Sequence, residues 1–192
     1  MKTCLYAPEV MRKIRTGEKT QMRVVMKPQP VPGDILENGV QFWTYKDCEW
    51  LYGPWDKDGC GNMRNDLIAI GYHGFPESGI EDYAPCKLED VLYAREKDPE
   101  YEKLGVHLRV KRVWVERLQD ISHLDILAEG IKAPQETEWD VEMSEEVMNR
   151  FLFEEEWDKW AKAKDWKQYD WKSNPWVWVV EFERISKREA VA

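Results

Sequence analysis

Within seven residues, Gly17-Glu18-Lys19-Thr20-Gln21-Met22-Arg23, the chain gathers an ammonium, a hydroxyl and a guanidinium, just ahead of the turn Lys27-Pro28-Gln29-Pro30-Val31-Pro32-Gly33-Asp34. Such a grouping suits an anion or a nucleobase-like ligand, because both cations donate to phosphate or carbonyl oxygens. Other chemistries lack their signatures. There is no glycine-rich phosphate loop and no Gly-x-Ser-x-Gly elbow, and His73, His107 and His123 show neither ligand spacing nor a nucleophile partner. Cys4, Cys48, Cys60 and Cys86 are scattered with no Cys-x-x-Cys, so idle or buried thiols are the expectation. A metal site from Cys48, Cys60, Cys86 and His73 would draw on one irregular stretch, but structural zinc sites space their ligands more tightly, and no metal is expected.

The elements that must hold those side chains follow from the pattern around them. Pro8 suits a first helical position, Val10, Met11 and Ile14 follow at helical spacing, and Gly17 can close the helix in the left-handed conformation. From Thr20 to Met26 the chain alternates, with Thr20, Met22, Val24 and Met26 on one face and Gln21, Arg23 and Val25 on the other. Lys19 therefore stands at a strand entrance. The prolines of 28–32 are expected to stop that strand, and Pro32-Gly33 to turn the chain into 34–36.

Residues 42–84 mix Gly-Pro turns with Trp43, Trp50 and Trp55 and read as an insertion, in which only Leu67 to Tyr72 looks like strand. Strands are predicted over 90–95 and 106–118, the second with a β-bulge at Lys111-Arg112 where the apolar phase slips by one. Ser122 is read as a helix cap with Asp125 as its capping-box partner and Gly130 as the stop, which leaves Glu129 in the last turn. A longer helix is predicted from Ser144 to about Lys164, with Val147, Met148, Phe151, Leu152, Trp157, Trp160 and Ala161 as its apolar stripe. The run Asn174 to Ile185 closes the chain as a buried strand.

The 192 residues carry a net charge of −9, which argues against a protein that coats duplex DNA. Residues 1–35 hold seven basic against three acidic side chains, whereas 136–165 hold four against eleven. An anion is thus drawn to the N-terminal face, and the acidic run reads as a solvated helix face. No apolar run approaches the roughly 20 residues of a membrane span, and the start has no signal-peptide segment, so a cytoplasmic protein is expected.

Five separated blocks agree in order with one family. The helix ending in Gly-x-Lys-Thr, the Lys-Pro-Gln-Pro turn, Leu88 to Glu96, Val115 to Ser122 with Ala128-Glu129-Gly130-Ile131, and Asn174-Pro175-Trp176-Val177-Trp178-Val179 resemble the ASCH domain, in particular the ASCH proteins of tailed phages and prophages. The resemblance covers residues 8–185. It implies one α+β domain of the PUA-like superfamily, a small mixed β-barrel with flanking helices, here with a Trp/Gly-rich insertion at about 42–84 and a helical one at about 132–173. It further implies a cleft between barrel and helices for RNA or a modified nucleotide, lined by Lys19, Thr20, Arg23, Arg95 and Glu129, with Trp178 or an insertion tryptophan stacking on a base. No cofactor is implied.

One bacterial branch of the family is an amidohydrolase that deacetylates acetylcytidine, and some ASCH proteins are reported as ribonucleases. The resemblance places the catalytic lysine of that branch on Lys19 and its glutamate on Glu129, but its threonine falls on Met22. Thr20, two positions away on the same strand face, leaves a hydroxyl nearby. Two alternatives to simple binding are therefore carried: hydrolysis, with a desolvated Lys19 as base or nucleophile and Glu129 relaying protons, and binding of a host protein through the Trp-rich insertion and the acidic helix.

Overall fold

In the computed structural model the described residues are 1–35, 41–45, 48–52, 84–98, 100, 105–134 and 144–190. They form an α+β fold. Strands β1 (Lys2–Tyr6) and β2 (Gln21–Val25) flank helix α1 (Pro8–Thr16), then β3 (Val31–Ile35), β4 (Gln41–Tyr45) and β5 (Cys48–Tyr52) follow. Next come β6 (Val91–Glu96), β7 (Val106–Arg117), α2 (His123–Ala128), α3 (Glu145–Ala163) and β8 (Trp176–Ile185).

Five strands make the main sheet in the order β1-β6-β7-β8-β2, with β1 parallel to β6 and the other pairs antiparallel. Its two edges meet: the Tyr6 hydroxyl at the end of β1 donates to the Met22 sulfur on β2 at 3.0 Å. Contact between the outermost strands requires the sheet to curl, as right-handed strand twist favours. The ladder between β7 and β8 shifts register between Val110 and Arg112, so the bulge expected at Lys111-Arg112 is present. Beyond it the alternation of β7 places Arg112, Trp114 and Glu116 on one face and Val113 and Val115 on the other.

β8 runs through the middle and has apolar residues on both faces. Val180 and Phe182 join Met11 and Ile14 of α1, Leu92, Ala94, Leu108 and Val110 in one core. Val177 and Val179 join Val25, Trp114, Ile126 of α2, and Phe153 and Trp157 of α3 in a second. Strands buried on both sides read as unbroken apolar runs, which is the character of Trp176 to Val180.

Two expectations need correction. Pro32-Gly33 does not turn the chain but lies within β3, the edge of a separate three-stranded sheet ordered β3-β4-β5. An edge strand tolerates a proline because one side of its backbone needs no ladder partner. Likewise β4 and β5 lie inside the stretch read as irregular; Trp43 stands opposite Trp50 in their ladder. Leu67 to Tyr72, Trp55, Cys60 and His73 lie outside the described residues.

The long helix turns most of the expected stripe inward, with Leu152 and Trp160 packed against the core, but the edge of the buried face is shifted. Met148, Asn149, Phe153, Trp157 and Ala161 are buried, whereas Val147 and Phe151 are 49% and 47% exposed. Asn149 is buried with its polar atoms partnered: its side-chain oxygen accepts from the Ala133 amide at 2.6 Å and its amide nitrogen lies 3.0 Å from His123 Nε2. No helix among the described residues is long and apolar enough to cross a membrane.

Candidate functional site

Two left-handed glycines bring the site together. Gly17 (φ 81°) ends α1, and the Lys19 amide then bonds back to the Lys13 carbonyl at 3.1 Å, so the chain leaves the helix along its own last turn. Ser122 caps α2, accepting from the Asp125 amide at 3.2 Å, and Gly130 (φ 77°) follows its end. The Thr20 amide bonds the Ala128 carbonyl at 2.7 Å, which sews the start of β2 to the last turn of α2. A Cβ on Gly130 would come within 3.2 Å of Lys19 Cβ and 3.1 Å of Lys13 Cδ. Glycine there is what lets the two helix ends approach.

That approach puts the Lys19 ammonium in direct contact with the Glu129 carboxylate, 110 positions apart in the sequence. The same ammonium also donates to the Glu129 backbone carbonyl at 3.2 Å, where the negative end of a helix welcomes a cation. The second Glu129 oxygen accepts from Arg23 Nη1 at 2.9 Å. Arg23 then spans β8: its Nε and Nη2 both donate to one oxygen of Glu116, at 2.9 and 2.7 Å. Small valines make the span possible, since Arg23 sits opposite Val179, and Val179 opposite Trp114 on β7. Trp114 Nε1 donates to the other Glu116 oxygen at 2.9 Å, and Phe153 covers the guanidinium, 6.0 Å from its ring centroid.

The network continues through Gln21, whose side-chain oxygen lies 3.5 Å from Arg23 Nη1. Gln21 Nε2 donates to Asp125 Oδ1 at 2.9 Å, and the Ser122 hydroxyl donates to the other Asp125 oxygen at 2.5 Å. Nearly all of it is out of water: the Arg23 side chain is 1% exposed, Glu129 8%, Lys19 11% and Glu116 12%. Burial works against the Arg23 charge, but Glu129 and Glu116 outweigh it and hold the guanidinium above its ordinary range. Burial pushes the Glu116 carboxyl above the usual carboxylate range, more than its arginine partner pulls it down.

On the other face of β2, Met22 occupies the place where the resemblance implies a threonine. Its sulfur takes the Tyr6 hydroxyl, whose own pKa is raised by burial first and by neighbouring Cys4 and Glu129 in turn. A hydroxyl is thus present beside Met22, but it comes from β1 and is a poor acid.

Of the residues singled out from the sequence, Lys19, Arg23 and Glu129 converge, and Thr20 adjoins them through its backbone. Arg95 does not join them: it lies on β6, and its guanidinium donates to the Glu96 carbonyl at 3.2 Å. Trp178 is 3% exposed, set in β8 between Val24 and Val115. Glu116, Gln21 and Asp125 belong to the network, yet the sequence reading gave Glu116 and Gln21 no role and Asp125 only that of a capping partner to Ser122. The available signal was opposite charge at alternating positions, Arg23 beside Val25 on β2 and Glu116 beside Trp114 on β7. Among the described residues no group of three or more His, Cys, Asp or Glu side chains is placed to hold a metal ion, and Cys4 and Cys86 are free thiols.

Fold and site together define an α+β protein with a curled five-stranded sheet and a buried ion network beneath its second helix. Comparison with protein-family models, curated proteins and solved structures gave no match.

Proposed function

We propose that the chain is an ASCH-type, PUA-like barrel protein of the phage or prophage kind that binds RNA or a modified nucleotide at the Lys19 and Glu129 pair. The carrying observation is the direct contact between these two side chains, built by two glycine-capped helix ends and held from below by Arg23. A buried ion pair is an inefficient way to stabilise a fold, since desolvation offsets most of the Coulomb gain. Such an arrangement is better accounted for by a ligand that trades places with it. A base offering a carbonyl next to an exocyclic amine would take the Lys19 ammonium as donor and the Glu129 carboxylate as acceptor. Arg23 would keep the glutamate in place throughout.

Thermal denaturation with a panel of nucleosides and nucleotides tests this reading. At 100 times its dissociation constant a ligand adds about 2.7 kcal/mol, or roughly 5–10 °C for a chain of this size. At least one member is expected to raise the melting temperature of the wild type and to leave Lys19→Ala unchanged. No shift with any member overturns the proposal.

Amide hydrolysis is the second reading, favoured by the same lysine–glutamate contact and opposed by Met22. Acetylcytidine in the panel separates the two: an inert wild type with an active Met22→Thr variant marks a hydrolase that lost its hydroxyl, and two inert proteins leave binding alone.

A further inference from the structure

The acidic character of α3 reverses at its C-terminal end. Residues 159–172 hold five lysines against two aspartates, interleaved with four aromatic rings. Asp165, at φ 55°, reverses the chain after the helix, and the Trp166 amide bonds back to the Ala161 carbonyl at 2.9 Å. The reversal sets the Trp166 ring edge-on to Trp160, 5.1 Å between centroids, and edge-on to Tyr169 at 6.0 Å. Beneath them the shelf is fastened to the core, because the Trp157 indole donates to the Tyr169 carbonyl at 2.8 Å.

The three rings are half-buried, while Lys27, Lys164 and Lys167 around them are exposed. The Lys27 ammonium, arriving from the turn after β2, lies directly over the Trp166 indole and 5.1 Å from the Tyr169 ring centre; Lys164 lies 5.6 Å from the Trp166 centre. Two ammonium groups thus converge on one indole. Desolvation against the rings, and then repulsion from Lys164, holds Lys27 below the usual lysine range.

We propose that Trp166, with Trp160 and Tyr169 at its edges, is a stacking shelf for single-stranded nucleic acid, and that Lys27, Lys164 and Lys167 meet the phosphates on either side of the stacked base. A base stacked on an indole is worth more than an exposed lysine over the same ring, so a nucleotide displaces Lys27 from the face and gives its ammonium a phosphate instead. Rings already fixed by Trp157 lose little freedom on binding. The shelf lies on different residues from the Lys19 and Glu129 pair and does not depend on that pair's function.

Fluorescence anisotropy with a labelled ten-nucleotide oligouridine at about 50 mM salt tests it. The wild type is expected to bind saturably, and more tightly than it binds a duplex of equal length. Trp166→Ala is expected to weaken binding about tenfold, the loss of one stacked base, and Trp166→Phe to retain most of it. Replacing the exposed Lys164 and Lys167 by glutamine leaves the fold intact and should lower the salt slope by about 1.4, two phosphate contacts on a single strand. Binding that Lys19→Ala abolishes and Trp166→Ala leaves unchanged would assign the oligonucleotide to the site proposed above and overturn the shelf. No binding by the wild type, or binding that neither Trp166→Ala nor the double lysine variant changes, overturns the proposal. Capture of a trimethyllysine peptide in place of the oligonucleotide would also overturn it, assigning the rings to a cationic ligand.

Discussion

Glu129 answers two cations at once, Lys19 through one oxygen and Arg23 through the other, and that double duty sets what its loss must do. Glu129→Ala leaves the buried Lys19 ammonium without its carboxylate and Arg23 with Glu116 alone, and is expected to destabilise the protein by about 3–5 kcal/mol, the usual consequence of leaving a buried ion without its partner. Lys19→Met is expected to cost clearly less, because Arg23 still neutralises the glutamate and a methionine fills the vacated space with apolar atoms. Urea denaturation midpoints of the two variants decide the matter, and equal losses would show that the network does not act as described. The meeting of Lys19 with Glu129 was legible from the resemblance, on glycine-flanked positions. The fate of Arg23 was not: on a strand that alternates Gln21, Arg23 and Val25, a cation reads as solvent-facing. Only the register across β8 reveals Glu116 within its reach.

Elements place these groups, and glycine geometry gives that claim a measurable form. Gly17 and Gly130 share nearly the same positive φ, 81° and 77°, but their surroundings differ. A Cβ on Gly17 would meet nothing within 4 Å, whereas one on Gly130 would press on Lys13, Lys19 and the Glu18 carbonyl. Gly17→Ala should therefore cost only the left-handed strain, about 1–2 kcal/mol, and Gly130→Ala more than that. Denaturant melts of both variants give the comparison; equal costs would mean the helix ends are not tightly opposed. The caps at Ser122 and Ser144 and the bulge near Lys111 were readable because each follows from a local rule. The inward face of α3 was readable in part: Met148, Leu152, Trp157, Trp160 and Ala161 follow the apolar spacing and pack on the core. What escaped was Phe153 in place of Phe151, and Asn149, a polar residue whose burial depends on partners at His123 and Ala133 supplied by distant segments. Strand β3 escaped notice for a similar reason, since prolines signal a stop only where a strand has neighbours on both sides.

At the scale of the whole molecule, β8 is the common wall of two cores, and this joins the helix that ends just before Lys19 to the helix that Glu129 closes. The terminal run of tryptophans and valines announced a buried strand, but two-sided burial needs both α1 and the α2/α3 pair to pack, which no local pattern encodes. Such an arrangement predicts independence of packing with unity of folding. Val179→Ala removes two methyl groups from the core beneath α3, and Val110→Ala does the same in the core beneath α1. At about 0.8 kcal/mol per methylene plus a cavity contribution, each should cost about 2 kcal/mol. The two side chains lie in separate cores with no partners in common, so the double variant should lose the sum to within about 0.5 kcal/mol. Because one strand backs both cores, all three proteins should still unfold in a single transition, with near-ultraviolet dichroism of the tryptophans and far-ultraviolet dichroism of the backbone tracing the same curve. A double variant whose two signals separate, or whose loss departs from the sum by more than 1 kcal/mol, would show that β8 does not bind the halves into one cooperative unit.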